Sequence, residues 1–187
     1  MELVPGYLVG LSVIVMCTAF IKLATVLGIL RQALGLKDIA SAIGILGLAL
    51  SLAFFQAEGL NAGTKSEVAP TLREEVKRFE PFLKKNTESD VLERLAKLRK
   101  VESPSESESP ELLVASFLIS ELKKAFELGL MLLIPFLVID LLVVNVIMLL
   151  GIESISATAV SLPLKLLLFI SLNGWQLISE KLLSSYL

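Results

Sequence analysis

Long apolar stretches run along this chain and are interrupted by a single charged interval. Residues 3 to 30 carry one charge, Lys22, and residues 39 to 57 carry none. Apolar character returns at Leu112, is crossed by a charged turn from Glu121 to Glu127, and continues to Ile152. A last apolar segment covers residues 160 to 179. Spanning about 30 Å of hydrocarbon takes roughly 20 helical residues. Nothing shows the strict two-residue alternation of a membrane barrel. The pattern predicts an all-α, integral membrane-type protein with four long apolar helices, arranged as two hairpins around a small helical hydrophilic insert.

The boundaries follow from the same pattern. Residues 1–57 form an N-terminal apolar hairpin with a polar elbow from Arg31 to Asp38, where Gly35 suits a helix C-cap. Gly6 with Gly10, and Gly44 with Gly47, would let another helix approach closely. Residues 58–101 are the insert. In it Leu72, Val76, Phe79 and Leu83 keep helical spacing, with Glu74 and Arg78 as an i,i+4 pair, and Pro81 should end or kink that helix. A second helix follows from Asp90 to Lys100, with Val91, Leu95 and Leu98 on one side and Glu93 paired to Lys97. Each apolar stripe is narrow, so the pair should pack on itself or on a partner. Residues 102–111, ESPSESESPE, have too little apolar content to fold and read as a flexible linker. Residues 112–187 form the C-terminal apolar hairpin. Its last helix should start at Ser161 as N-cap, with Pro163 in the first turn and Lys165 just inside.

Composition sharpens this picture. Mean hydropathy is +0.78 and 55% of residues are hydrophobic, too apolar for an ordinary soluble domain. The net charge of -2 gives no basic field for nucleic acid. Most charged residues fall between Glu58 and Glu111, the charge map of a membrane protein with one soluble insert. There is no histidine, so the usual general base and zinc ligand are missing. The one cysteine, Cys17, reads as a small buried hydrophobe. No phosphate-binding, dinucleotide, CxxC or nucleophile-elbow motif occurs. No catalytic residue, metal site or cofactor is expected. The start of the chain, with Glu2 and no basic region, does not resemble a cleavable signal peptide.

Three charges interrupt the apolar segments: Lys22, Asp140 and Lys165. Each costs about 2.5–3.5 kcal/mol at a bilayer centre on insertion scales, so each should face protein or water in the end. The lysines can snorkel or pair. Asp140 is short, and it lies about 15 Å along a helix from Gly151. It can form a salt bridge or helix–helix hydrogen bond, or serve as a proton-relay site. Pro135, five residues earlier, removes a helix hydrogen bond and favours a kink that would aim the carboxylate. Glu121, Lys123, Lys124 and Glu127 have the spacing of a solvated helix end.

Four segments together resemble a known family. FLISELKKAFELG, LLIPFLVIDLLVVNVIMLLG and SLPLKLLLFISLNGW are similar, in order and spacing, to the C-terminal half of the FliP/SctR (YscR) family of type III secretion export-gate proteins. TAFIKLATVLGILRQALG, residues 18 to 35, is similar to the family's first helix and elbow. The resemblance implies a homo-pentamer that assembles with FliQ/SctS-type and FliR/SctT-type subunits in the bacterial inner membrane. Unfolded secreted proteins would pass through its centre, driven from elsewhere, so the chain would be a conduit and not an enzyme. It also implies inter-subunit charge contacts at Glu121, Asp140 and Lys165, with Glu121 and Lys165 paired between neighbours. The alternative is a small ion- or proton-coupled transporter using Asp140.

The chain departs from that family in places. The loop that should narrow the pore is methionine-rich in the family, whereas here Gly151 is followed by Ile152, Glu153 and Ser154. The proline pair usual after the first elbow is replaced around Asp38, Ile39 and Ala40. The short chain leans toward the injectisome branch. Topology sets two expectations against each other. The insert holds ten Lys and Arg, which a positive-inside count would keep in the cytoplasm, while the resemblance places it in the periplasm. The periplasmic reading leaves Arg31 and Lys37 to mark a cytoplasmic elbow.

Overall fold

The computed structural model describes residues 19–60, 72–99, 109–152 and 154–186. Among them are seven helices and no strand: α1 (Phe20–Ala33), α2 (Ile39–Leu60), α3 (Leu72–Asn86), α4 (Ser89–Leu98), α5 (Pro110–Leu149), α6 (Ala157–Ser171) and α7 (Gly174–Ser184). Gly6, Gly10 and Cys17 lie outside the described residues, as do the side chains of the Glu74–Arg78 pair. The chain divides into two compact units, Met1–Leu23 with Leu50–Ala125, and Ala24–Ala49 with Phe126–Leu187.

In the first unit the insert's helical spacing becomes a buried face. Val76, Phe79, Phe82 and Leu83 of α3 are all buried. They share a core with Leu112, Leu113 and Phe117 of α5, and the Phe82 and Phe117 rings meet edge-on at 5.6 Å. Such a ring pair contributes about 0.5–1.5 kcal/mol beyond its buried area. α3 runs through Pro81 to Asn86 instead of ending there. Pro81 is exposed, so the carbonyl that its missing N–H leaves open has access to water. α4 has no buried residue, although its Asp90–Arg94 and Glu93–Lys97 pairs form at 3.0 and 3.5 Å. α5 takes in Pro110 and Glu111, the last two residues of the expected linker. Ser109 supplies the first carbonyl, to the Leu113 N–H, Pro110 takes the first helical position, and Glu111 lies in the first turn.

In the second unit both elbows are closed by glycine. Gly35 has φ +79° and Gly151 φ +65°, which a side chain would resist. Each is flanked by paired backbone bonds: Leu36 N–H to the Arg31 carbonyl with Gly35 N–H to Gln32, and Ile152 N–H to Ile147 with Gly151 N–H to Met148. Both are Schellman caps that satisfy the last carbonyls of α1 and α5. Asp38 then starts α2. Its carboxylate accepts the Ser41 N–H at 2.7 Å, while Ser41 Oγ donates back to the Asp38 carbonyl at 2.8 Å. Arg31 ties the elbow together by donating to Ser41 Oγ and to the Asp38 carbonyl.

One expectation is corrected here. The last apolar segment is not one helix capped by Ser161. α6 begins at Ala157 after Ser156, and the chain turns by 62° into α7. Ser161 is buried inside α6, and Pro163 sits in the helix interior instead of its first turn. The turn is made by Asn173 in the left-handed region at φ 50°, followed by Gly174. A β-carbon on Gly174 would run into the Phe169 ring, and that ring packs edge-on against Trp175 at 5.0 Å. The Asn-Gly-Trp run is therefore a corner, and only a short polar residue and a glycine fit it. The four long apolar helices are matched only in part, and the first of them, residues 3–30, lies largely outside the described residues. Among the described residues only α5 is long and apolar enough to cross a membrane. α6 and α7 qualify only as a bent pair, and the apolar part of α2 is the shorter Ile39–Ala53.

Candidate functional site

The charged residues singled out in the sequence fall into two separate constellations. In the first unit, Glu121 is 1% exposed and accepts two lysines, Lys22 at 3.7 Å and Lys124 at 3.3 Å. Lys22, from the start of α1, is itself 2% exposed. It pairs instead of snorkelling. Glu121 is thus buried, whereas Lys123 and Glu127 stay exposed as the spacing suggested. The face around it also holds the α3–α4 turn. Lys124 donates to the Asn86 carbonyl at 2.8 Å, Lys123 pairs with Glu88 at 2.7 Å, and Ser120 Oγ accepts the Glu88 N–H at 3.0 Å. Sequence reasoning missed the Lys22–Glu121 pair. The one available signal was that Lys22 is a lone cation in an apolar run and so calls for an acid.

In the second unit, Lys165 is the centre. Its ammonium lies 2.6 Å from Asp140 Oδ2 and 2.9 Å from the Ala33 carbonyl, and its side chain is 7% exposed. It joins α6 to α5 and to the C-terminal end of α1, where a cation is favoured by the open carbonyls. Asp140 is better exposed at 39%, so its second oxygen has access to the surroundings. Within one chain the structure joins Asp140 to Lys165 and gives Glu121 other partners. Pro135 lies inside α5, which runs through it, and its missing N–H leaves the Met131 carbonyl without that donor.

Gly129 was not singled out in the sequence, yet another helix presses closely on it. A β-carbon there would strike Ile29 Cδ1 and come within 3.3 Å of Ile29 Cβ. By contrast, nothing among the described residues lies within 4 Å of a β-carbon built at Gly44 or Gly47.

Around these pairs the surface is strongly apolar. Only 11% of the most apolar stretch of α5 is buried, and Met131, Ile134, Leu141, Leu142 and Val146 are among its exposed residues. A core helix of a soluble protein would be mostly covered. The exposed band reaches the loop after α5, with Met148, Leu149, Leu150 and Ile155 outward and Ile152 half-buried. A cavity of about 400 Å³ there is lined by Val144, Ile147, Met148, Gly151, Ile152 and Ile155. Ser154 is exposed, and Glu153 lies outside the described residues.

Known proteins match the chain over nearly its whole length. The FliP family profile matches residues 7–182. The flagellar biosynthetic protein FliP of Aquifex aeolicus is 36% identical over 190 residues, covering 94% of this chain and 80% of that protein. The Yop proteins translocation protein R of Yersinia pestis is 34% identical over 191 residues, covering 92% and 88%. The virulence protein YscR of Salmonella typhimurium is 34% identical over 192 residues, covering 93% and 89%. Flagellar and virulence relatives match almost equally, so identity favours neither branch. With the profile covering both elbows, the Asp140–Lys165 pair and the Asn-Gly-Trp corner, this chain belongs to the FliP family.

Proposed function

We propose that this chain is a pore-forming structural subunit of a type III secretion export gate, and that it passes unfolded proteins across the bacterial inner membrane without itself catalysing a reaction. Several copies, five by resemblance, would assemble with FliQ/SctS-type and FliR/SctT-type subunits. The observation that carries this reading is the combination on α5. The helix turns an almost uncovered apolar surface outward, while Asp140 is held by a buried lysine. An apolar surface of that kind needs lipid or neighbouring subunits. The hairpins 1–57 and 112–187 would build the gate, and the insert 58–101 would stand on the periplasmic side. The constriction would be made by Gly151, Ile152, Glu153 and Ser154 together with the exposed Met148, Leu149, Leu150 and Ile155, so that branched aliphatics replace methionines in an apolar seal. A transporter using Asp140 for protons is disfavoured, because that carboxylate is already engaged by the Lys165 ammonium at 2.6 Å.

Co-expression with the two smaller subunits, followed by native mass measurement in detergent, tests assembly. The expected result is a stable complex that fails to form without them. A homo-oligomer that is stable alone and carries out ion transport would reject the gate. Lys165→Glu should block assembly. If the contact that matters is internal, Asp140→Lys rescues it. If Lys165 reaches Glu121 of a neighbour in the complex, Glu121→Lys does. Normal assembly of Lys165→Glu would remove the role assigned to these charges.

A further inference from the structure

One groove of the second unit is left over once the charge pairs and the loop are accounted for. It encloses about 600 Å³ between α1, α5 and α7, within the range of roughly 300–1,000 Å³ in which small-molecule sites fall. Its walls are apolar, formed by Val26, Leu128, Met131, Leu132 and Leu177 among others. Val26 is fully buried, whereas Met131 and Leu177 are more than half exposed, so the groove is open along one side. Its polar lining residues come mainly from adjacent positions on α7, Glu180 and Lys181, both exposed. Gln176 Nε2 donates to Glu180 Oε1 at 2.7 Å and fixes where that carboxylate stands. The Lys181 ammonium has no hydrogen-bond or ion-pair partner among the described residues.

We infer that this groove is a binding site for one phospholipid of the ethanolamine type. One acyl chain lies along Val26, Leu128 and Leu132, and the headgroup lies on α7. The argument is charge complementarity. A free cation beside a positioned carboxylate matches a headgroup that carries a phosphate and a primary ammonium. Lys181 takes the phosphate and Glu180 takes the ammonium in charge-assisted hydrogen bonds. A purely anionic headgroup would set its charge beside Glu180 with nothing to answer that carboxylate. The acyl chain covers Met131 and Leu177, apolar surface that the chain itself leaves open. The inference rests on the membrane placement proposed above. It uses none of the residues of the Asp140–Lys165 contact, and it assigns the site to a lipid and not to a neighbouring subunit.

The test is native mass measurement of the full chain, alone and in its complex, extracted in mild detergent and exchanged into nanodiscs. The nanodiscs contain equal parts phosphatidylethanolamine and phosphatidylglycerol. One phosphatidylethanolamine per chain should survive delipidation. Lys181→Glu should reduce its retention at least about fivefold. Leu132→Trp, which fills the groove without changing charge, should do the same. Glu180→Gln should shift retention toward phosphatidylglycerol, a change in preference that a misfolded variant would not produce. The inference is overturned if no lipid is retained, if the two lipids are retained equally by the unaltered chain, or if both Lys181→Glu and Leu132→Trp leave retention unchanged. It is equally overturned if a partner subunit crosslinks into the groove at Leu132. Lipid retention is read on the chain itself and assembly on the complex. Loss of one with the other intact therefore separates this inference from the gate reading.

Discussion

Lys165 is nearly inaccessible, and its ammonium has two acceptors, the Asp140 carboxylate and the Ala33 carbonyl. Breaking a buried ion pair from one side costs roughly 3–5 kcal/mol, because the remaining charge is left in a poor environment. The cost should be unequal here. Asp140→Asn leaves a buried ammonium with neutral acceptors and no counter-charge, whereas Lys165→Met leaves a carboxylate that is 39% exposed and can be solvated. Asp140→Asn is therefore expected to lower stability more than Lys165→Met, and the double variant should cost less than the sum. Thermal unfolding of the four proteins in one detergent checks this, and additive effects would mean that the 2.6 Å contact does not couple the residues. Asp38 offers a pH test of the elbow. The Ser41 N–H that it accepts holds its carboxyl below the ordinary carboxylate range. A depressed acid stabilises the folded form above its unfolded pKa, and that contribution is lost as pH falls through the lower, folded value. Amide exchange at Ser41, corrected for its intrinsic pH dependence, should lose protection only below the ordinary carboxylate range. In Asp38→Asn the protection should be insensitive to pH, and a pH-dependent loss that persists in that variant would assign the titration elsewhere.

The helices themselves differ in how far the sequence revealed them. Val76, Phe79 and Leu83 keep one period and one face, so α3 was readable from their spacing, and the Gly35 cap was readable because few other residues suit that conformation. The corner at Asn173 was signalled by an Asn-Gly pair, but apolar residues on both sides made one helix the better periodic fit. The start of α6 was misplaced because Pro163 is common in a first turn, yet it is also tolerated deeper in a helix. The Lys22–Glu121 and Asp140–Lys165 pairs join distant parts of the chain, and no local period encodes such contacts. Gly129 was equally silent, since a glycine in an apolar run does not say which neighbour it admits. Its role predicts that Gly129→Val should destabilise the second unit by about 1–3 kcal/mol, the usual cost of overpacking. Ile29→Ala in the same chain should recover part of that loss, because it removes Cδ1 and Cγ1, two of the three Ile29 atoms that the new side chain meets. Unfolding midpoints of the single and double variants decide the matter, and an undiminished loss in the double variant would place the strain somewhere other than Ile29.

At the scale of the whole molecule, the sequence leaves the side of the membrane on which each polar segment lies under two opposing rules. Ten basic residues in the interval from Glu58 to Glu111 would hold it in the cytoplasm by a positive-inside count, but twelve acids share the same interval. Its length is close to that at which the rule weakens, since long segments translocate largely regardless of charge. The elbow is short, and its basic residues are Arg31 and Lys37. Arg31 is committed to Ser41 and to the Asp38 carbonyl, but it retains its charge, so the elbow stays cationic. A short cationic elbow is the better candidate for retention in the cytoplasm, which favours the proposed periplasmic insert. Lys37 and Ser89 are both exposed, and the chain has one native cysteine, Cys17, so a cysteine-free background needs one substitution. In a Cys17→Ser background, a membrane-impermeant maleimide applied to spheroplasts should label Ser89→Cys and spare Lys37→Cys until the membrane is opened. The reverse pattern would restore the positive-inside assignment and turn the insert, with the α3–α4 turn that Lys123 and Lys124 hold against α5, toward the cytoplasm.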